Sequence, residues 1–553
     1  MASAQSKDSL YHQLAGIRES VESLWIAIIL AFVLRAFIIE AFVIPTGSMA
    51  PRLMGQHWQF DCPACGYHYA FGLPTRSTDS INIDLSNPVG TGSNYGIGGP
   101  PAVCPNCLYR NNFGKDLAYN GDRVLVLKYL YRFKAPTPCD VVVFKNPQDN
   151  DQNFIKRLIG VPGQMIQIVH GDVYYRQLDT DLDGDGAIDG RDFADSRSNE
   201  LAPWKILRKP THTQEVMWQV IFENDYQPDV KLYEKAMPWK SPWQTAPAAT
   251  GWDLTANDHR VFKFAGSPAP QSLAFVADRN RFAPNYAYNI YSPPQYDVEH
   301  DICSDLKLSF MFVPQSGDAR VGLHLSSFKH HFRATVSADG QCVLEHGLAA
   351  NGNTVQWDAQ PWGSESLEPL KVGGGYSVAL VHVDHMVQLW VDGKVRIQTT
   401  DSQYPANMQQ AIEDEMHGVP TPVVEIFASG GPSELWHVDL MRDVYYTQAR
   451  LADIADLKAG WGVMGNPIIL RKYLNNPDMD EFFVLGDNSP CSKDSRMWGY
   501  HSPTLRAGYQ DGTVPRYSLI GRAFFVYWPG GFRLPLLEKL PLVPNVGRMR
   551  FIR

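Results

Sequence analysis

Two residues in this chain have the chemistry for acyl transfer. Ser48 stands in IPTGSMAPRL, directly after a long apolar run, and Lys156 stands in FIKRLIGVPG among Phe154, Ile155, Leu158 and Ile159. A serine nucleophile needs a base to take its proton, and no His lies in an obviously paired motif. Successive strand residues face opposite sides. A lysine on the apolar side loses hydration, and its pKa falls from about 10.4. A fall to about 8 corresponds to roughly 3 kcal/mol and leaves a usable neutral fraction near pH 7–8. The plain alternatives are a turn serine and a solvated strand lysine, and spacing alone does not pair the two.

Two further clusters could hold ions. Cys62-Pro-Ala-Cys65 and Cys104-Pro-Asn-Cys107 are CxxC units with 38 residues between them. Four thiolates could close a tetrahedral structural zinc site; two disulfides are the alternative on an extracytoplasmic face. Of the other four cysteines, Cys303 and Cys342 could pair. The stretch DLDGDGAIDGRD fits the twelve-residue calcium-loop template. Its ligands would be Asp181, Asp183, Asp185, the Ala187 carbonyl, Asp189 and Asp192, with Asp in place of Glu at the last position. An Asp/Gly-rich solvated turn is the alternative.

These residues need elements to position them. Residues 24–43 hold eighteen apolar residues of twenty, Arg35 and Glu40 being the exceptions. Twenty helical residues span roughly 30 Å, the thickness of a bilayer core. The sequence therefore predicts one transmembrane helix ended by Pro45, with Ser48 five residues beyond it. Lys7 and Arg18 before the span lean towards a cytoplasmic N-terminus. Val- and Ile-rich runs over 121–176 predict strands, and strand signals resume from about 463. Between them, short alternating segments such as LKLSFMFV, YSVALVHV and MVQLWVDGKVRI predict a β-sandwich.

Five segments, in order, resemble the boxes of bacterial-type signal peptidases I, the Ser-Lys leader peptidases: IPTGSMAPRL after the span, GDRVLVLKYLYR, FIKRLIGVPGQ, LGDNSPCSKDSRMWG and LIGRAFFVYWP. Arg52, Gln164, Pro490 and Cys491 depart from the usual pattern. The resemblance implies Ser48 as nucleophile and Lys156 as general base. It implies Thr46 and the Ser48 N–H as the oxyanion hole, Ser492 as the residue orienting the lysine, and Asp494 and Arg496 as a supporting ion pair. It implies substrates that are preproteins with signal peptides, small side chains at the first and third positions before the cut, and no cofactor for catalysis. The middle region resembles laminin-G/concanavalin-like jelly rolls through VQLWVDGKV and WHVDLMRDVYYT; a glycan or a protein are both possible partners of such a sandwich.

The expected architecture is thus mainly β: one N-terminal transmembrane helix, a signal-peptidase β-fold core and an inserted concanavalin-like sandwich. The expected segments are a cytoplasmic 1–23, a membrane helix 24–43, and core parts 44–60, 113–176 and 463–553. The insertions are a zinc-ribbon-like 61–112, a calcium-loop segment 177–249 and the sandwich 250–462. The chain would sit once through the inner, cytoplasmic membrane with its catalytic part outside the cytoplasm. A net charge of −9 argues against nucleic acid as a partner. The rival readings are a membrane-tethered binding module on a degenerate peptidase scaffold and a self-cleaving Ser-Lys protease.

Overall fold

A computed structural model describes residues 2–72, 102–111, 119–195, 202–233, 239–246, 249–284, 301–350, 354–448, 460–503, 508–530 and 545–553. The N-terminal helix runs over Ala2–Val33 and widens into a π-helical turn at Leu34–Ile38. Its stretch Arg18–Ile38 is 21 residues long, apolar and unburied, long enough to cross a membrane.

The helix stops before the expected residue 43. Ile39–Val43 is strand β1, paired antiparallel with β2 (Arg123–Leu127) from Ile39↔Leu127 to Val43↔Arg123. The edge of β2 takes up the backbone hydrogen bonds, Phe42 packs on the core beside Val124, and Glu40 pairs with Lys128 at 3.1 Å. An apolar run of β-branched and aromatic residues suits strand as well as helix. Pro45 is therefore not the helix stop, and Ser48 lies ten residues beyond the helix.

Strands β3 (Val141–Asn146), β4 (Asp149–Gly160), β5 (Glu481–Leu485), β6 (Val514–Pro515), β7 (Leu519–Trp528) and β8 (Arg550–Phe551) complete the core sheet. Its order is β1-β2-β7-β3-β4-β5-β6, with β8 on β7, and every pair is antiparallel. A smaller sheet of Lys205–Ile206, Asp172–Gln177, Gln164–Val169 and Ile468–Ile469 lies between this core and the insertion.

The middle region is two antiparallel sheets of eight described strands each, enclosing one apolar core that includes Phe262, Phe310, Phe312, Leu323, Phe332 and Leu389. The sandwich begins earlier than the expected residue 250. Gln219–Glu223 pairs with Ser433–Arg442, and Trp243–Thr245 pairs with Ser267–Phe275; such short edge strands carry too little periodicity to be seen in sequence. Cys303 and Cys342 are separate buried thiols and do not pair. Residues 73–101 and 112 of the first insertion, and 285–300, 351–353 and 449–459 of the expected sandwich segment, lie outside the described residues. On the outer face of one sheet a groove of about 410 Å³ is walled by Trp218, Lys307, Met311, Gln388, Trp390 and Asp439.

Candidate active site

The loop carrying Ser48 is held from three sides. The Ile44 N–H donates to the Asp122 carbonyl (2.9 Å), and the Met54 N–H donates to the Asp122 carboxylate (3.0 Å). Gly55 lies against the loop so closely that a Cβ would sit 2.2 Å from the Thr46 carbonyl carbon. Asn488 closes the third side: its Nδ2 donates to the Gly47 carbonyl and its N–H to the Ser48 carbonyl, both at 3.0 Å. The Ser48 N–H has no acceptor among the described residues. Thr46 is exposed at the loop's edge, and Ser48 is buried.

Lys156 reaches this loop from β4, whose neighbours β3 and β5 bury it. Its Nζ lies 2.6 Å from Ser48 Oγ and 5.3 Å from the centre of the Phe154 ring. Burial lowers the lysine pKa from 10.5 to about 8; the charges of Asp494 and Asp487 pull it back upward, and Arg496 pushes it down. A charged ammonium loses hydration in such a place and little replaces it. The amine therefore titrates where a general base is useful.

Asp494 and Arg496 meet across a 3-10 turn, Ser495–Met497, and not along a strand. The pair is two-pronged, with Arg496 Nε to Asp494 Oδ1 at 2.9 Å and Nη2 to Oδ2 at 2.8 Å. Asp494 also accepts the Gly486 N–H (3.0 Å). Arg496 Nη1 donates to the Thr447 carbonyl (2.6 Å) and to Ser489 Oγ (2.7 Å). Ser492 arrives beside Ser48: a Cβ on Gly486 would lie 2.2 Å from Ser492 Oγ and 2.5 Å from the Ser48 carbonyl oxygen. Its hydroxyl is buried without a hydrogen-bond partner among the described residues, so the implied bond to Lys156 is not made; the lysine Nζ contacts Ser48 Oγ instead.

Sequence reasoning missed several supports. Arg157 and Asp487 form a buried two-pronged ion pair, 2.7 Å at both contacts. The adjacent Lys-Arg and Gly-Asp-Asn were the available signals. Thr447, at the return from the sandwich, gave no signal at all.

The four cysteine sulfurs of the CxxC units all lie within 4.8 Å of one another. In the acidic loop Asp181, Asp183 and Asp192 converge likewise. Asp185 and Asp189 do not join them; they, with Asp183, pair with Arg191. Ala187 and Ile188 form a short strand on Lys472–Tyr473, so the loop docks on the core.

Comparison with known proteins bears on this site. The family model described as signal peptidase, peptidase S26, matches residues 112–206 and 473–528. Those residues include Lys156, Ser492, Asp494 and Arg496, whereas Ser48 lies outside them. The probable signal peptidase I-1 of Synechocystis sp. (strain PCC 6803) is 41% identical over 61 residues, 10% of this chain and 31% of the relative. The match thus spans about a third of that curated protein. The family match supports the signal peptidase family for two segments that flank the sandwich, and the partial relative points to the same family. Among solved structures, carbohydrate binding module CBM66 from Bacillus subtilis aligns at 13% identity and TM-score 0.22, over 36% of this chain and 95% of that one. Galectin LEC-6 of Caenorhabditis elegans aligns at 14% and 0.17, over 32% and 94%. Scores this low carry no argument, and the sandwich rests on its own sheet order.

Proposed function

We propose that this chain is a membrane-anchored serine endopeptidase that removes signal peptides from exported preproteins, with Ser48 and Lys156 as its dyad. The observation that carries the proposal is the 2.6 Å contact between Lys156 Nζ and Ser48 Oγ, made by a lysine whose pKa burial has lowered to about 8. Neutral Nζ takes the hydroxyl proton as Oγ attacks the scissile carbonyl carbon. The oxyanion that forms is met by the free Ser48 N–H and by the Thr46 hydroxyl. The lysine ammonium then protonates the departing amine, and a water molecule, deprotonated by the same lysine, releases the acyl group. Ser492 is the supporting serine of this proposal although it makes no bond to Lys156 here; Arg496, paired with Asp494, holds the turn Ser489–Cys491 just before it through the Ser489 hydroxyl and carbonyl.

The helix Arg18–Ile38 supports a membrane anchor; its single pass through the inner membrane, with the core sheet on the extracytoplasmic side, is part of the proposal. A substrate held by its own apolar segment would then present its cleavage site near Ser48. The groove on the sandwich, with two indoles beside hydrogen-bonding side chains, is proposed to take a glycan; a protein bound there is the other outcome of a ligand screen with Trp390→Ala as control. Calcium in the Asp181–Asp192 loop is also proposed, supported by the three converging carboxylates and opposed by Arg191. Calcium titration of the chain and of Arg191→Ala, with tighter binding expected in the variant, tests it.

The main test is processing of a preprotein in vesicles by the wild type, Ser48→Ala and Lys156→Ala. Cleavage by the wild type alone supports the proposal. Equal processing by all three removes it.

A further inference from the structure

We propose that Cys62, Cys65, Cys104 and Cys107 hold one tetrahedral zinc ion, and that this ion ties the β-sandwich to the loop carrying Ser48. The proposal does not depend on the peptidase reading.

The sulfur geometry comes first. Cys62 Sγ lies 3.5 Å from Cys107 Sγ, and Cys65 Sγ lies 3.7 Å from Cys104 Sγ. A disulfide would need about 2.05 Å. Four sulfurs placed about 2.3 Å from a central ion are about 3.8 Å apart at the edges of the tetrahedron. The observed spacing therefore fits thiolates around an ion and not bonded pairs.

The two cysteine turns are also built alike. The Cys62 N–H donates to the Tyr67 carbonyl (2.9 Å), and the Gly66 N–H donates to the Cys62 carbonyl (2.7 Å). In the second turn the Cys104 N–H donates to the Tyr109 carbonyl (3.0 Å), and the Leu108 N–H donates to the Cys104 carbonyl (2.9 Å). Gly66 and Leu108, each just after the second cysteine, have φ of 75° and 64°. The left-handed region suits Gly66 but strains Leu108, so something holds the second turn in the shape of the first. Apolar packing is too slight to do it. The unit is two two-stranded ribbons, His57–Asp61 with His68–Gly72 and Ala102–Val103 with Arg110–Asn111, and four of its nine buried core residues are the cysteines themselves. Isolated hairpins are marginal, and zinc binding supplies the folding energy that such a unit lacks. Four thiolates in a tetrahedron select zinc or iron; paired turns of this kind, closed on all four sides, favour zinc.

The unit has contacts in two directions. Towards the nucleophile, His57 opens the first ribbon. Its Nδ1 lies 2.7 Å from the Gly55 carbonyl, and Gly55 lies against Thr46. Towards the sandwich, Asn106 stands between Cys104 and Cys107 and is fully buried. It accepts the N–H of Glu223 (2.6 Å), the last residue of the sandwich strand Gln219–Glu223, and donates to the Tyr226 carbonyl (3.1 Å). Its own carbonyl accepts from Arg281 (3.0 Å), the Cys107 carbonyl accepts from the Tyr233 hydroxyl (3.0 Å), and the Ala64 carbonyl accepts the Asp229 N–H (2.8 Å). Both cysteine turns thus grip the sandwich, through their carbonyls and through the Asn106 side chain, whose positions the ion would fix.

The experiment uses the full chain in detergent. Elemental analysis should find one zinc per chain in the wild type and equally in Ser48→Ala, which separates this proposal from the catalytic one. Replacement of the metal by cobalt should give the visible spectrum of a tetrathiolate site. Iron, no metal, or oxidised sulfurs in an intact-mass measurement would each overturn the site. Hydrogen exchange before and after zinc removal tests the tie. Backbone amides in Gln219–Glu223 and in residues 44–55 should both exchange about tenfold faster without zinc. Asn106→Ala should keep the zinc, and removal of the metal from it should then loosen 44–55 as in the wild type but change Gln219–Glu223 less, since Glu223 has already lost its bond to the Asn106 side chain. Unchanged exchange in Gln219–Glu223 on removing zinc from the wild type would overturn the tie.

Discussion

Replacing Lys156 by methionine should abolish cleavage and yet stabilise the core at neutral pH. The fall in the lysine pKa from 10.5 to about 8 corresponds to about 3 kcal/mol. The sign follows from linkage: the folded chain holds the proton less tightly than the unfolded one. The penalty is therefore full below pH 8, shrinks by about 1.4 kcal/mol per unit between 8 and 10.5, and vanishes above that. Methionine removes the penalty and also removes the hydrogen bond to Ser48 Oγ, which is worth about 1 kcal/mol. Lys156→Met should thus be about 2 kcal/mol more stable than the wild type at pH 7 and slightly less stable above pH 10.5. Urea midpoints of the detergent-solubilised proteins at pH 7, 9 and 10.5 measure the difference. In the wild type, kcat/KM should rise about tenfold per unit below pH 8 and level off above it. A stability difference that does not change with pH, or a flat activity profile from pH 6 to 9, would refute the assignment of Lys156 as a buried base.

Gly55→Ala places a methyl group against the Thr46 backbone and should displace the loop of Ser48; a shift near 1 Å costs about a hundredfold in rate, while Gly317→Ala, where a Cβ meets nothing within 4 Å, should leave kcat/KM unchanged. Asp487→Ala leaves the Arg157 guanidinium buried without its partner and should cost about 3–5 kcal/mol, read as a lower urea midpoint. In whatever fraction folds, loss of the Asp487 charge should move the pH midpoint of activity downward, because that charge holds the Lys156 pKa up. Removing residues 1–38 should release the chain from membranes and keep the core sheet, since β1 begins at Ile39. Removing residues 1–43 deletes β1 and exposes the edge of β2, so limited proteolysis should cut the second truncation faster than the first.

What the sequence disclosed was local. The apolar setting of Lys156, the paired cysteines and the alternating strands of the sandwich are written in neighbouring residues, and each stands in the structure where those neighbours put it. The end of the N-terminal helix was illegible because 39–43 suits helix or strand alike, and its fate is decided by β2, about eighty residues away. The Arg157–Asp487 pair joins residues 330 apart, and Thr447 reaches Arg496 only because the sandwich returns the chain beside the core. The unpartnered hydroxyl of Ser492 is a matter of side-chain direction, which no spacing encodes.

The wide separation of the two halves of the site also has a meaning in time. Lys156 and Arg157 leave the ribosome long before Asp487, Asn488 and Arg496. At roughly 5–20 residues per second, the 330 residues between Arg157 and Asp487 take about 17–66 s to be made. During that interval Ser48 and Lys156 exist, but Asn488 is not there to hold the loop and Arg157 has no counter-charge. The nascent chain therefore passes its first half-minute with the Ser48 and Lys156 halves of the candidate site unsupported. It gains its site only after the sandwich, whose end supplies Thr447, has been synthesised and folded.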